Sequence, residues 1–296
     1  MTGMRKLAYF MVKCKKEIIV KRIMEYDTIH AGDIHLPVRR GGLPRWQCIG
    51  LLWWLVFSLL VLYPPAWAQD YPFKPGERLT YVLKWGFIPA GKAVLEVQPM
   101  TEVEGQTARH FVLTARSNNF IDNFYKVRDR IDAYADAGMQ HSVHFAKKQR
   151  EGNYKRDVVV TFDWTEKQAQ YANKGKKDDP ISLMPGSFDP LSAFYFIRSM
   201  EMQPGSKISK PITDGRKNVV GEAKVIKRET INVGGQPYDT FLIVPDLKHV
   251  GGVFKESKNA KMQIWVTADH RRIPVRLKSK VVVGSFVGEL VKVEGL

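Results

Sequence analysis

The sequence predicts a mainly β protein: a strongly curved antiparallel sheet, or an open half-barrel, with one α-helix packed against it over about residues 189–200. Three observations carry this prediction. From Arg78 onward apolar and polar residues alternate in run after run, which is the period of a strand with one buried face. Gly, Pro, Asn and Asp gather between the runs, where tight turns need them. One stretch alone, residues 187–200, changes to a helical period.

Residues 70–76 (DYPFKPG) form a short extended lead. Leu79, Tyr81, Leu83 and Trp85 then alternate with Arg78, Thr80, Val82 and Lys84. After a break over 86–91 the alternation resumes in Ala93, Leu95 and Val97. Phe111, Leu113 and Ala115 follow a turn at 104–106, which completes three strands of a meander. Residues 117–122 interrupt the pattern, and 124–134 resume it with Tyr125, Val127 and Ile131 on one face. Residues 140–150 and 154–164 make a hairpin about Glu151, Gly152 and Asn153, with Val158, Val160 and Phe162 in register. A short strand over 168–172 ends in the polar loop 173–179.

The helix follows. Asp189 is placed to cap it, since its carboxylate can accept from the free N–H groups of the first turn. Pro190 stands at the first helical position, where a missing N–H costs nothing. Leu191, Phe194, Tyr195 and Arg198 fall at i, i+3, i+4 and i+7, and Ile197 widens the apolar side. Strands then run over 207–213, 218–233 and 238–244, joined by turns at 214–217 and 234–236. A Gly-bearing loop over 248–258 leads to Met262, Ile264 and Val266, a turn at 268–272, and Val275 to Val283 in alternation. The apolar register weakens over 286–293. Residues 69–296 read as one domain, and the helix divides the strands into two groups that could lie in one sheet or two.

The first 68 residues are set apart. Residues 49–62 (IGLLWWLVFSLLVL) are 14 residues without a charge, preceded by Arg39, Arg40 and Arg45. At ~1.5 Å per residue they cover about 21 Å, short of the ~30 Å hydrocarbon core of a bilayer. With the small residues Ala66 and Ala68 after them, they predict a secretory signal peptide cleaved after Ala68, with an uncleaved N-terminal anchor as the alternative. The segment before the run is long for a signal peptide, and Met4, Met11 and Met24 are alternative starts. Cys14 and Cys48 both lie before the cleavage point, so the mature chain would have neither disulfide nor thiol chemistry. It would keep 36 Lys and Arg against 26 Asp and Glu, a formal charge of +10. In a periplasmic location such a chain meets anionic lipid and acidic glycan, not nucleic acid.

The search for chemistry finds no catalytic constellation. His141 and His144 are three apart in a predicted strand and leave opposite faces, so one metal would not take both, and no metal site or cofactor is expected. Asp129 and Asp132 fail as a carboxylate pair by the same parity. Ser285 lies in Gly-Ser-Phe-Val-Gly within a predicted strand, which is not the strand-to-helix elbow of a hydrolase. Lys147, Lys148, Arg150, Lys155 and Arg156 flank one hairpin, either as a solvated face or as a contact for an anionic surface.

Residues 76–81 (GERLTY), 90–93 (AGKA), 189–195 (DPLSAFY), 238–240 (YDT), 264–269 (IWVTAD) and 272–275 (RIPV) stand in an order and spacing that resembles the domain-of-unknown-function 3108 family of exported bacterial proteins. The resemblance covers nearly the whole predicted mature chain. It implies an envelope protein with no established activity and transfers no catalytic residue. Fold-level analogy with the half-barrels of lipoprotein carriers points the same way.

These readings lead to a non-enzymatic binding or assembly factor for a lipid, lipoprotein or envelope glycan. A hydrolase with dispersed carboxylates that converge, and a module that pairs through exposed sheet edges, are the alternatives. The concave face decides among them. Leu191, Phe194 and Ile197 either plug it or wall a gap that Trp85, Tyr125 and Phe162 would line.

Overall fold

The computed structural model describes residues 71–246, 262–280 and 285–296. The predicted lead and signal peptide over 1–68, both cysteines and the loop predicted over 248–258 lie outside the described residues.

Strands β1 (Arg78–Trp85), β2 (Ile88–Val103) and β3 (Gln106–Ser117) are followed by a one-turn helix, α1 (Asn119–Asp122). Then come β4 (Arg128–Asp136), β5 (Ser142–Glu151), β6 (Tyr154–Asp163), β7 (Gln168–Asn173) and the two-residue strands β8 (Lys176–Lys177) and β9 (Ile181–Ser182). Helix α2 (Pro190–Ser199) separates these from β10 (Lys207–Thr213), β11 (Asn218–Val233), β12 (Gln236–Pro245), β13 (Met262–Thr267), β14 (Pro274–Lys280) and β15 (Ser285–Glu294). All fifteen strands belong to one antiparallel sheet that does not close into a barrel. Two meanders, β1 to β8 and β10 to β15, are joined side by side because β15 pairs with β1. The helix therefore interrupts the chain without dividing the sheet.

Where the alternation faltered in the sequence, the sheet has bulges. β2 begins at Ile88, inside the predicted break, and its pairing with β1 shifts between Leu83 and Lys84. Against β15 the register shifts between Thr80 and Tyr81, which leaves Val291 as an extra, exposed residue and explains the weak period there. In β11 the shift between Val225 and Lys227 turns the strand over: Val225 packs in one apolar cluster and Val233 in another. Gly91, in β2, runs so close to β3 that a Cβ would stand 2.2 Å from the Arg116 carbonyl oxygen.

The helix lies on the concave face, and its own residues explain its start. The Asp189 carboxylate accepts from Leu191 N (2.8 Å) and Ser192 N (3.0 Å). Its other oxygen accepts from Ser142 Oγ on β5 at 2.6 Å, while Asp189 N donates back to the same hydroxyl at 2.8 Å. Leu191, Ala193, Tyr195 and Arg198 are its buried side chains, with Ser192. Below them runs a cross-strand row, Val97, Phe111, Ala133, Phe145, Val160 and Tyr171, each opposite the next and all buried. The Tyr195 ring stacks on Phe111 at 4.0 Å, and Phe73 meets both edge-on. Phe194 and Ile197 are half-buried at the border of the second cluster, which includes Val225, Ile243, Ile264 and Val266.

One ion pair fastens the helix to the segment before β1 and to the turn between β13 and β14. Arg198, 1% exposed, makes a two-pronged bond to Glu77, 2% exposed, at 2.6 and 2.9 Å. Its Nη2 also donates to the carbonyls of Arg271 (3.1 Å) and Pro72 (3.3 Å). Burial alone would lower the Arg198 pKa, but the Glu77 carboxylate more than offsets it and the net direction is up. The free edge of β10 is occupied by the chain just before the helix: Phe188 N donates to the Pro211 carbonyl and Thr213 N to the Phe188 carbonyl.

Candidate functional site

The buried apolar side chains of the helix share one cluster with the fully buried row of the concave face. The next row toward the Ser117 and Glu151 ends of the strands is Leu79, Leu95, Leu113, Ile131, Lys147, Val158 and Asn173. Leu79, Leu95 and Val158 are buried, but Leu113, Ile131 and Lys147 are only half-buried. Lys147 thus projects from the same face of β5 as Phe145, into an otherwise apolar row. One step further out, Ala115 of β3 pairs with Asp129, and Gln149 pairs with Arg156. At the rim Glu151 bridges to Val127 and pairs with Tyr154.

This places an ionisable group of residues over the apolar row. Asp129 and Glu151 are near enough to act on one another, Asp129 accepts from Arg150 N at 2.8 Å and Glu151 from Gln149 Nε2 at 3.1 Å. Burial, then the nearby Asp129, push the Glu151 carboxyl up to about 7. The Lys147 ammonium is lowered by burial, against the opposing pull of Asp129, Glu151 and Asp214. Tyr125 and Tyr154 are both pushed up to about 12, first by burial and then by Glu151. The Tyr125 ring lies against Gly152, where a Cβ would meet it at 2.9 Å, and its hydroxyl has no partner among the described residues. Arg156 donates to the Tyr171 hydroxyl at 3.1 Å. The β10–β11 turn closes one side, since a Cβ on Gly215 would stand 2.7 Å from Val160.

Chemically the group can hold a polar head over an apolar floor: Lys147 and Arg156 offer cationic donors, and a protonated Glu151 offers a neutral one. It is poorly arranged for glycoside hydrolysis. The two carboxyls of a glycosidase stand about 5–9.5 Å apart, with substrate between them, whereas Asp129 presses on Glu151 closely enough to help raise its carboxyl.

The residues singled out from the sequence do not converge. Phe162 and Leu191 are buried in the main cluster, with Phe194 at its border, and Ile197 borders the second. Trp85 ends β1 beside Ile88 and Phe286 and belongs to neither cluster. Tyr125 is the one member of that set at the rim group. The five basic hairpin residues separate by parity. Lys147 and Arg156 point to the concave face, while Lys148, Arg150 and Lys155 point to the convex one. There Arg150 pairs with Asp157 at 2.7 Å. Asp129 and Asp132 also leave opposite faces, and Asp132 accepts from Arg130 and meets His110 Nε2 at 2.9 Å. His141 lies on Trp164 and His144 near Tyr134, and no group of three His, Cys, Asp or Glu among the described residues could hold a metal ion. The partner that Asp129 does have, Glu151, was within reach of parity reasoning, since both sit on the apolar face of adjacent strands. The buried Glu77–Arg198 pair gave no such signal, because its members are 121 residues apart.

A cleft of about 410 Å³ lies at the other end, lined by Pro75, Glu77, Arg78, Glu96, Gln98 and Pro99. Its charged residues are already committed, Arg78 to Glu96 and Glu77 to Arg198. No helix among the described residues is long and apolar enough to cross a membrane.

No curated protein matches this sequence. Among solved structures, a β-barrel-like protein of domain of unknown function 1849 from Brucella abortus is similar at a TM-score of 0.48 and 11% identity, over 74% of this chain and 97% of that one. A protein described as exported, with a YmcC-like fold, from Bacteroides fragilis has a TM-score of 0.33 at 11% identity, over 77% of this chain and 100% of that one. A protein described as a lipoprotein from Parabacteroides distasonis has a TM-score of 0.31 at 11% identity, over 75% and 97%. The family described as protein of unknown function DUF3108 matches residues 80–291, from within β1 to within β15 and across the helix and rim group alike. The chain belongs to the DUF3108 family.

Proposed function

We propose that this protein is a non-enzymatic binding or assembly factor of the cell envelope, exported to the periplasm, that takes the apolar part of a lipid or lipoprotein on its concave face. The observation that carries this reading is the half-buried cross-strand row Leu113, Ile131 and Lys147 on the concave face. Apolar side chains left half-covered on a concave sheet are the usual lining of an apolar-ligand site. A half-buried lysine in that row, with Arg156 above it, suits the head group of an anionic amphiphile. An envelope glycan fits less well, because the floor of the site offers it no hydrogen bonds.

Native mass spectrometry of protein released gently from membranes tests the reading. Wild type should carry an added mass of lipid size. Leu113→Trp, which fills the row without removing apolar surface, should carry it at least about tenfold less often, the loss expected when a bound chain forfeits a few buried methylenes. A bare mass in every preparation of folded wild type, or equal loading of the variant, would overturn it.

A further inference from the structure

The end of the sheet that bears the rim group also carries three large aromatic rings in solvent. Phe87, in the β1–β2 turn, is 90% exposed, and Phe120 and Phe124, on either side of the end of α1, are 58% and 52% exposed. Sheet order brings them together. β1, β2, β3 and β4 are consecutive neighbours, and both turns leave the sheet at the same end. The β3–β4 connection is tied to the start of β2, since Asn118 N donates to the Ala90 carbonyl and Asn118 Nδ2 to the Pro89 carbonyl. The rings of Phe120 and Phe124 meet edge-on at 5.6 Å. A folded chain gains nothing in water by raising these rings from its turns.

Their neighbours are exposed cations with no ion pair among the described residues. Lys126, two residues after Phe124, is exposed, and the carboxylate whose charge it feels, Asp122, is already paired with Arg128. Lys92 of β2 stands directly opposite Arg116 of β3, both exposed and both without an ion pair among the described residues. Like charges set opposite one another across strands repel, an arrangement that an external anion relieves. Protruding rings beside unpaired cations are the pattern of proteins that rest on a membrane. The rings enter the boundary between head groups and acyl chains while the cations stay level with anionic phosphates. A protein partner would more naturally meet a flat apolar patch than rings raised on separate turns.

We infer that this rim is a docking surface for an anionic phospholipid bilayer, with Phe87, Phe120 and Phe124 inserted and Lys92, Arg116 and Lys126 at head-group level. The inference does not depend on the concave face holding a ligand. It makes the mouth of that face the part of the molecule turned toward the bilayer.

Co-sedimentation of the full chain with vesicles tests it, using phosphatidylcholine alone and phosphatidylcholine mixed with phosphatidylglycerol. Wild type should bind the mixed vesicles, and less so as salt is raised. Phe87→Ser, Phe120→Ser and Phe124→Ser combined should lose binding by at least about tenfold, the order expected for one ring's burial. Lys92→Gln, Arg116→Gln and Lys126→Gln combined should lose roughly fivefold per charge and most of the salt dependence. All six positions are exposed, so circular dichroism of each variant should match wild type. Phe87→Trp gives a second readout, in which brominated lipid should quench the added indole. Absence of wild-type binding to either vesicle, binding lost with the charges but indifferent to the rings, or self-association through the rings in place of vesicle binding would each overturn the inference.

Discussion

Arg198 and Glu77 show what a single buried charge demands. Taking either ion out of water costs several kcal/mol, and only the two-pronged bond together with the Pro72 and Arg271 carbonyls makes burial tolerable. Removing one partner leaves the other stranded. Arg198→Met and Glu77→Gln should therefore each lower unfolding stability by about 3–5 kcal/mol, and the double variant Glu77→Leu with Arg198→Met should recover much of it. Urea unfolding of the four proteins checks this, and a double variant as weak as the sum of the singles would contradict it. Glu151 is the opposite case, a carboxyl whose charge the fold resists. The folded protein holds a proton on it up to about pH 7, while an unfolded chain releases it near 4.5. Its contribution to stability is accordingly present below about 4.5 and lost as pH rises through 7. Glu151→Gln cannot titrate, so its stability relative to wild type should climb across that window. Parallel pH profiles of the two would count against the assignment.

Among the elements, the helix is placed by its first residue. The Asp189 carboxylate serves two masters, the first-turn amides and the hydroxyl of Ser142, so helix start and β5 start are one hydrogen-bonded unit. Burial raises its pKa, and the bonds from Ser142, Ser192 and the backbone resist that rise. Asp189→Ala should cost about 1–2 kcal/mol for the lost cap and about 1–3 kcal/mol more for the Ser142 hydroxyl left unsatisfied. Ser142→Ala should cost less, and the two changes together less than their sum. Denaturant melts of the single and double variants measure this, with strict additivity as the contrary result. The strands teach a different lesson. Their faces follow alternation until a bulge intervenes, and at Val225–Lys227 a single extra residue moves the rest of β11 into the other apolar cluster.

At the scale of the whole molecule, the last strand is internal. β15 is flanked by β14 and β1, so the C-terminal residues hold the two meanders together instead of fraying at an edge. Hydrogen exchange should show amides of Glu289 and Leu290 opening only with global unfolding, while Lys176 and Lys177 at the β8 edge exchange by local opening. Exchange in β15 as fast as in β8 would mean that the meanders part independently. The same topology sets the functional geometry. The helix and the Arg198 lock occupy one end of the concave face, and the half-covered row, the Glu151 group and the exposed rings are left at the other.

Local chemistry made much of this legible in advance. Period-two runs, turn residues and the Asp189-Pro190 start sufficed for the longer strands, for α2 and its cap, because each depends on residues within a few positions of one another. But β8 lies in the stretch read as a polar loop, and the strand read from 124 begins only at Arg128, after the one-turn helix α1. Parity likewise separated Asp129 from Asp132, and could have turned Lys147 inward with Phe145. What no local pattern carries is the meeting of distant residues. That β15 lies beside β1, that Tyr195 and Arg198 fill the face more deeply than Phe194 and Ile197, and that Glu77 neutralises Arg198 all follow from the curvature and strand order of the sheet. Trp85, Tyr125 and Phe162 looked equivalent as inward aromatics, yet they occupy different depths of the fold. Depth is a property of the folded sheet: bulges accumulate along it, its twist tilts each row against the next, and both are summed only when fifteen strands are in register.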